Sequence, residues 1–234
     1  MHNYIGIDIS MNSTAVFIES DLGKKILSFT NKKDNNIYIK ELYSCGVDFS
    51  HISREKSEDY SENELIKIKH FDYISTQLIN KCLKYININE KTYCQIEGYS
   101  FSKNTSSILD IVSFSTLIRV YLLKYIPNIE LNIISPSSLK LEACKISYKP
   151  VNIGIKKEKL VYMNNDGISG GSFKKRDMYQ ALLDSNISTP ITNMLFNYSY
   201  LLDRDKIPNP IEDIIDAIFA CVVKKSEVES KILE

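Results

Sequence analysis

The sequence lacks paired cysteines, a membrane span and a secretion signal. Its five cysteines are odd in number and none form a CxxC pair. We therefore expect small apolar core side chains in a reducing compartment, not disulfides or a zinc site. The longest apolar stretch, 108–123, is interrupted by Asp110 and Arg119, so no segment approaches the roughly 18 apolar residues of a membrane span. The N-terminus has no basic region before its first apolar run, unlike a secretory signal. We expect an intracellular protein with no membrane partner.

Histidine is scarce, tryptophan is absent and the net charge is zero. The segment GISGG (167–171) matches a serine-hydrolase motif, but no histidine follows it, so we interpret it as a loop. Zero net charge argues against a nucleic-acid partner, yet the distribution of charge matters more than the sum. Residues 140–176 contain nine Lys or Arg and three Asp or Glu. Two interpretations stay open for this stretch: an ordinary solvated surface, or a basic lobe that contacts phosphates.

The spacing of apolar residues predicts alternating strands and helices in a single domain of ordinary globular composition. Strands are predicted at 3–9, 14–19, 37–43, 92–97 and 130–134. Helices are predicted at 64–85, from a cap at Ser106 or Ser107 to about 125, at 173–184 and from 211 to about 225. A short helix is predicted after Pro136. Residues 46–63 and 145–172 are predicted to be irregular. Three antiparallel strands followed by strand–helix units predict an α/β fold, with a mixed sheet flanked by helices. The ribonuclease-H-like fold has this order, and the actin-like ATPase fold has it in part.

Two carboxylates stand at the ends of apolar strands. Asp8 lies inside NYIGIDI, and Glu97 ends TYCQIE just before Gly98. Burying a lone carboxylate costs several kcal/mol unless the group is paired or binds a metal. Ligands of α/β sheets commonly gather at the carboxyl edge of the strands. The alternative for Asp8 is a solvent-facing residue or a turn cap.

A second acidic pair lies on the predicted last helix. Asp213 and Asp216 are three residues apart in PIEDIIDAIFACVV, so they share one helix face and repel each other. A bound cation would remove that repulsion. Acidic residues also favour the first turn of a helix through the helix dipole, which would account for Glu212 and Asp213 better than for Asp216. Together, the four carboxylates form the oxygen ligand set that two Mg²⁺ or Mn²⁺ ions need for phosphodiester cleavage.

The sequence resembles the RuvC-like Holliday junction resolvases, particularly those of phages and large DNA viruses. Four segments carry the resemblance, in family order: YIGIDISMNSTAVFI (4–18), QIEGYSFSKNTSSILDIVSFSTLIR (95–119), IISPSSLK (133–140) and DIIDAIFA (213–220). The stretches 20–63 and 145–172 are longer than compact members of that family need. We therefore predict a single ribonuclease-H-like domain with insertions near 46–63 and 145–172.

The resemblance implies an Mg²⁺-dependent endonuclease that acts as a homodimer on four-way or otherwise branched DNA. Asp8, Glu97, Asp213 and Asp216 would be the catalytic metal ligands for two ions, and Asp8 would bridge both. It also implies DNA contacts by basic residues, for which the matching positions are Lys140, Lys174, Lys175 and Arg176. For a viral enzyme, the location would be the host cytoplasm or a viral factory.

Three rival functions remain open. An actin-like or sugar-kinase-like ATPase needs Gly-rich phosphate loops, whereas the first turn here reads DISMNS. A DEDD-type exonuclease begins its site with DxE, but residue 10 is Ser. A non-catalytic module that binds branched DNA would tolerate the loss of a carboxylate, and all four are present.

Overall fold

The structure is a computed structural model that describes residues 2–33, 36–99, 105–154, 159–204 and 206–233. Eight strands occur in this part of the chain: β1 (Asn3–Asp8), β2 (Ser13–Ser20), β3 (Gly23–Thr30), β4 (Asp48–His51), β5 (Thr92–Glu97), β6 (Ile129–Ile134), β7 (Pro150–Asn152) and β8 (Leu160–Tyr162). Its α-helices are α1 (Ile37–Ser44), α2 (Tyr60–Tyr85), α3 (Thr105–Tyr125), α4 (Pro136–Ser147), α5 (Lys175–Asp184), α6 (Thr192–Asn197) and α7 (Ile211–Leu233).

Six strands form one mixed sheet in the order β4-β3-β2-β1-β5-β6. β1, β2 and β3 are antiparallel neighbours, whereas β5 and β6 extend the sheet parallel to β1. β4 adds an edge strand parallel to β3. The predicted α/β fold class is confirmed: a mixed sheet, antiparallel and then parallel, is flanked by helices. The carboxyl ends of β1, β3, β4, β5 and β6 all lie at one edge of the sheet.

Helices cover both faces of the sheet. α7 packs on β1, β2 and β5, with α4 and α5 beside it. α2 and α3 pack against each other on the opposite face, over an aliphatic core that includes Ile5, Ile7 and Ile96. The side chains of β1 alternate between these two cores, as the period of a strand requires. A residue's place in β1 therefore decides whether it meets α7 or the α2–α3 pair.

The prediction of the third strand is wrong. Residues 37–43 lie in helix α1, where Ile39 and Leu42 are buried on one face at a spacing of three. The Asn36 side chain accepts a hydrogen bond from the Tyr38 amide at 2.9 Å and so caps the helix. The third strand is β3, which follows β2 through a tight turn that ends at Gly23 with a φ of 110°. Glycine tolerates that backbone conformation at no steric cost.

The two predicted irregular stretches contain short regular elements. Within 46–63 the structure has β4 and the start of α2, and within 145–172 it has the end of α4 and the β7–β8 hairpin. Part of the second stretch, 155–158, lies outside the described residues. The last helix continues beyond 225 to Leu233, and α5 begins at Lys175 instead of 173.

The cysteines behave as expected from the sequence. All five are free thiols, and four of them are buried: Cys82, Cys94, Cys144 and Cys221. Each buried thiol has a pKa raised by burial, which is the property of an inert core side chain. None of the described helices is both long enough and apolar enough to cross a membrane.

Candidate active site

Asp8 is the last residue of β1 and lies on the sheet face that α7 covers. Tyr4 packs in the core beneath α7, whereas Ile5 and Ile7 pack in the opposite core. The period of two therefore places Asp8 on the α7 side, at the carboxyl edge of the sheet. The sequence predicted a carboxylate at the end of an apolar strand, and the fold turns it towards the last helix.

Glu97 ends the neighbouring strand β5 and lies on the same side of the sheet. β1 and β5 run parallel, with Ile7 opposite Ile96, so the next residues of both strands emerge side by side. Two residues before Glu97, the Gln95 side chain donates a hydrogen bond to the Ala220 carbonyl oxygen of α7 at 3.1 Å. This buried bond fixes the position of α7 relative to β5.

Gly6 lets α7 approach the sheet closely enough to complete the site. A Cβ atom at this position would lie 2.0 Å from the Ala217 carbonyl oxygen and 2.3 Å from the Cys221 amide nitrogen. Both atoms belong to the helix backbone, which cannot move aside without shifting the whole helix. The absence of a side chain at Gly6 therefore determines how near α7 lies to Asp8.

Asp213 and Asp216 project from the first two turns of α7. They are 5% and 2% exposed, respectively, although α7 is otherwise buried through apolar residues such as Ile214 and Ile215. Their spacing of three places both on one face of the helix. That face of α7 is turned to the ends of β1 and β5. The two helix carboxylates therefore meet Asp8 and Glu97, as the sequence predicted.

The four carboxylates converge on one small volume. Oxygen atoms of Asp8, Glu97 and Asp216 all lie within 4.8 Å of one another. Asp213 adjoins them closely enough that its charge raises the pKa of Asp8. The Oδ2 atom of Asp213 is buried and receives no hydrogen bond of normal geometry from the described residues, although the Ser13 hydroxyl lies close enough to lower the pKa of Asp213. A buried oxygen so placed in an acidic cluster fits a cation site, because a cation would supply the missing partner.

The electrostatics of the cluster also favour a bound cation. Burial raises the pKa of Asp8 well above its usual value, and the charges of Glu97, Asp213 and Asp216 raise it further. Burial is also the main cause that raises the pKa of Glu97 to about 7 and that of Asp213 to about 6. Burial raises the pKa of Asp216, although the charge of Lys175 opposes this effect. Without added positive charge these groups resist ionising together.

Lys175 is the basic residue that the fold brings to the carboxylates. Its Nζ pairs with Asp216 Oδ2, and it lies 3.1 Å from Glu212 Oε1. Burial lowers the pKa of Lys175, but the charges of Asp216 and Asp8 outweigh burial and raise the pKa above its usual value. Lys175 therefore stays charged and neutralises part of the acidic cluster.

The other predicted basic residues lie at different distances from the cluster. Lys140, on α4, is near enough for its charge to lower the pKa of Glu97 and of Asp216. Lys174 and Arg176 flank Lys175 but are exposed. Glu212 was interpreted from the sequence only as a helix-dipole residue, yet it pairs with Lys175 and raises the pKa of Asp213. Its position in the first turn gave no signal of that second contact.

Comparisons with known proteins find similarity among solved structures only. No protein-family model matches the sequence, and no curated protein does. One structure similar to this chain is Thermus thermophilus RuvC in complex with a Holliday junction substrate, with a TM-score of 0.49 and 6% sequence identity. A second is Thermus thermophilus RuvC, with a TM-score of 0.48 and 8% identity. Each comparison covers 98% of this chain and 96% of the other.

Proposed function

We propose that this protein is a divalent-metal-dependent endonuclease that cuts branched DNA. The observation that carries the proposal is the convergence of Asp8, Glu97, Asp213 and Asp216, from three distant parts of the sequence, on one largely buried cluster in which Asp213 Oδ2 has no hydrogen-bond partner among the described residues. Structural ion pairs rarely account for four neighbouring carboxylates of which two are buried and two half-buried, because each unpaired buried charge costs several kcal/mol. In a cation-binding site, the bound ion offsets this free-energy cost, and such perturbed groups are typical of functional sites.

The carboxylates would hold two Mg²⁺ ions, and Mn²⁺ would substitute. A ligand set made only of oxygen atoms suits these hard cations. When bound, such ions supply an activated water and stabilise the leaving oxygen of a phosphodiester. Asp8 is central, since all three other carboxylates influence its charge. Lys175 pairs with Asp216 and Glu212 and adds a positive charge beside the carboxylates, where a phosphate would enter.

Branched DNA is proposed as the substrate from the sequence resemblance to the resolvases. Two basic residues, Lys140 and Lys175, lie beside the carboxylates. Lys174 and Arg176 are the sequence neighbours of Lys175 and add to the same basic group. Lys and Arg bind phosphates without regard to base sequence. A homodimer would present two such sites to opposed strands of a four-way junction.

The test compares wild type and Asp8→Asn on a synthetic four-way junction, a replication fork and a linear duplex, each with and without Mg²⁺. We expect the wild type to cut the junction only with Mg²⁺, and the variant to cut nothing. Equal cutting by Asp8→Asn would contradict the metal-ligand proposal. Cutting of the duplex as readily as the junction would contradict the preference for branched DNA.

A further inference from the structure

A second pocket lies at the same edge of the sheet as the carboxylates. β4 ends there at His51, and the chain continues through 52–59 before α2 begins. This loop, the β1–β2 turn, α2 and α3 enclose a space of about 480 Å³. The polar side chains that line it include Asn12, Asn31, Arg54, Lys56, His70 and Asp110.

The charge of this pocket is positive. Arg54 and Lys56 are its cations, and Asp110 is its one acidic lining residue among those described. Asp110 already pairs with Lys67, whose Nζ lies 3.1 Å from its Oδ1. Among the described lining residues, Arg54 and Lys56 therefore have no acidic partner, and the exposed acids of the same loop, Glu55 and Glu58, do not line the pocket. This lining favours an anionic ligand.

One nitrogen of the Arg54 guanidinium has no hydrogen-bond acceptor among the described residues. This atom, Nη1, is shielded from solvent. Leaving a buried donor of a charged group unsatisfied is costly, so the position calls for an acceptor that the described residues do not supply. The asparagines of the pocket provide a further donor for a ligand. Asn31 donates a hydrogen bond to Asn12 Oδ1 at 3.1 Å. That bond uses the acceptor of Asn12 and leaves its amide nitrogen to donate to a ligand.

His70 adds a neutral donor to the pocket. Burial, followed by the positive charge of Arg54, lowers the pKa of its imidazole. The ring is therefore neutral near pH 7 and has one N–H to donate. A phosphate diester, with one negative charge and several acceptor oxygens, matches a guanidinium, amide and imidazole donor set.

The pocket and the carboxylates lie close enough for one DNA strand to contact both. Met11 and Asn12, in the turn after β1, line the pocket, and Asp8 ends β1 itself. Asn31 follows β3, which is separated from β1 by β2 alone. Two strand spacings correspond to about 10 Å along the sheet edge. A strand that contacts both sites must also cross this edge, because α2 and α3 line the pocket whereas α7 covers the carboxylates. A nucleic-acid strand bound at the carboxylates could therefore reach this pocket within a few nucleotides.

We infer that the pocket around Arg54 binds a backbone phosphate of the DNA strand that is cut at the carboxylates. This inference rests on the proposed function and assigns a role to the loop at 52–59, within the predicted insertion. Arg54 would be the main contact, supported by Asn12 and His70, and Lys56 would add charge at the rim. The pocket would fix the direction in which the strand leaves the cutting site.

The experiment measures binding of a synthetic four-way junction without divalent metal, so that cleavage does not interfere. Arg54→Gln is compared with Lys84→Gln, which removes the same charge at the other end of α2, about 20 Å from His70. We expect Arg54→Gln to weaken binding about tenfold and to reduce the salt dependence by about one phosphate contact. Lys84→Gln should change the affinity less than twofold. Because Arg54 is half-buried, Lys56→Gln at an exposed position serves as a second variant, with a smaller loss expected.

The outcomes separate this inference from the proposed function. If the wild type cuts DNA while Arg54→Gln and Lys56→Gln bind as tightly as Lys84→Gln, the pocket is not a phosphate site and the nuclease proposal stands. If the wild type cuts nothing with Mg²⁺ but its DNA binding depends on Arg54, the nuclease proposal is wrong and the pocket is a phosphate site without a cut strand. Absence of any DNA binding by the wild type would overturn both.

Discussion

The charges of the other three carboxylates all raise the pKa of Asp8. Replacing Asp8 with asparagine removes a ligand and the electrostatic repulsion in one step. We expect Asp8→Asn to lower cleavage at least about 100-fold, since loss of metal binding removes several kcal/mol of stabilisation from the transition state. The same change should raise the thermal stability of the metal-free protein, because a buried carboxylate with a raised pKa opposes folding at neutral pH.

Opposite effects on activity and stability distinguish a site residue from a structural one. The control is Asp21→Asn, the same substitution in the β2–β3 turn at the opposite edge of the sheet. It should leave both cleavage and the midpoint of thermal unfolding close to the wild-type values. A lower unfolding temperature for metal-free Asp8→Asn would show that the carboxylate stabilises the fold and would contradict our interpretation.

Lys175 offers a second prediction at the scale of single residues. Its ammonium pairs with Asp216 and competes with any cation that binds there. We expect Lys175→Gln to bind Mn²⁺ more tightly than the wild type in the absence of DNA, by roughly threefold to tenfold. Isothermal titration calorimetry measures this affinity, and Lys174→Gln is the matched control because Lys174 is exposed beside it. Weaker Mn²⁺ binding by Lys175→Gln would show that Lys175 organises the ligands instead.

At the scale of elements, the approach of α7 to β1 depends on Gly6. The Cβ atom of Gly6→Ala would meet the backbone of α7 at 2.0 Å, so the helix and the sheet must separate. We expect a loss of at least about 2 kcal/mol in the free energy of unfolding, measured by urea denaturation. Gly171→Ala is the control, since a Cβ atom there has no neighbour within 4 Å. Equal stability of Gly6→Ala and Gly171→Ala would contradict the packing described for α7.

The elements show where sequence patterns identify the fold and where they fail. β3 was missed because its apolar and polar residues alternate only over 27–30 (LSFT), while its first residues, 23–25 (GKK), are polar and less buried. Ser28 and Thr30 are nevertheless buried. Residues 37–43 have a β-branched and aromatic composition, but the Asn36 cap and the burial of Ile39 with Leu42 favour a helix. Tertiary packing decided both cases, and a single sequence does not report tertiary packing.

The same distinction applies to the site. The carboxylates were predictable because an acidic side chain at the end of an apolar strand is costly and therefore conspicuous. The pairing of Lys175 with Glu212, and the pocket around Arg54, were not predictable. Each depends on how distant elements pack together: α5 against α7 in the first case, and the 52–59 loop against α2 and α3 in the second.

For the whole molecule, the raised pKa values predict how stability depends on pH. Glu97 and Asp213 have folded-state pKa values of about 7 and about 6, above their ordinary values of 4.5 and 3.8. The native state therefore binds more protons than the unfolded state across this interval. Their contribution to stability is complete below about pH 4 and is lost as the pH rises to about 7.

We therefore expect the stability of Asp213→Asn, relative to the metal-free wild type, to increase as the pH rises from 4 to 7. Unfolding midpoints measured for both proteins at each pH give this difference, and groups distant from the cluster cancel from it. Asp8 contributes in the same direction, because loss of the Asp213 charge removes one cause that raises its pKa. Mg²⁺ should stabilise the wild type most at the upper end of the range, where the carboxylates are ionised. A constant difference across the range would mean that Asp213 does not titrate with a raised pKa.

The central claim is that four carboxylates from β1, β5 and α7 bind divalent cations together. Anomalous diffraction from crystals grown with Mn²⁺ tests this most directly, because manganese is located without reference to activity or to DNA. We predict two manganese peaks in contact with Asp8, Glu97, Asp213 and Asp216 in the wild type, with at least one peak lost in Asp8→Asn. Ordered carboxylates with no manganese between them, at millimolar Mn²⁺ and neutral pH, would contradict the account.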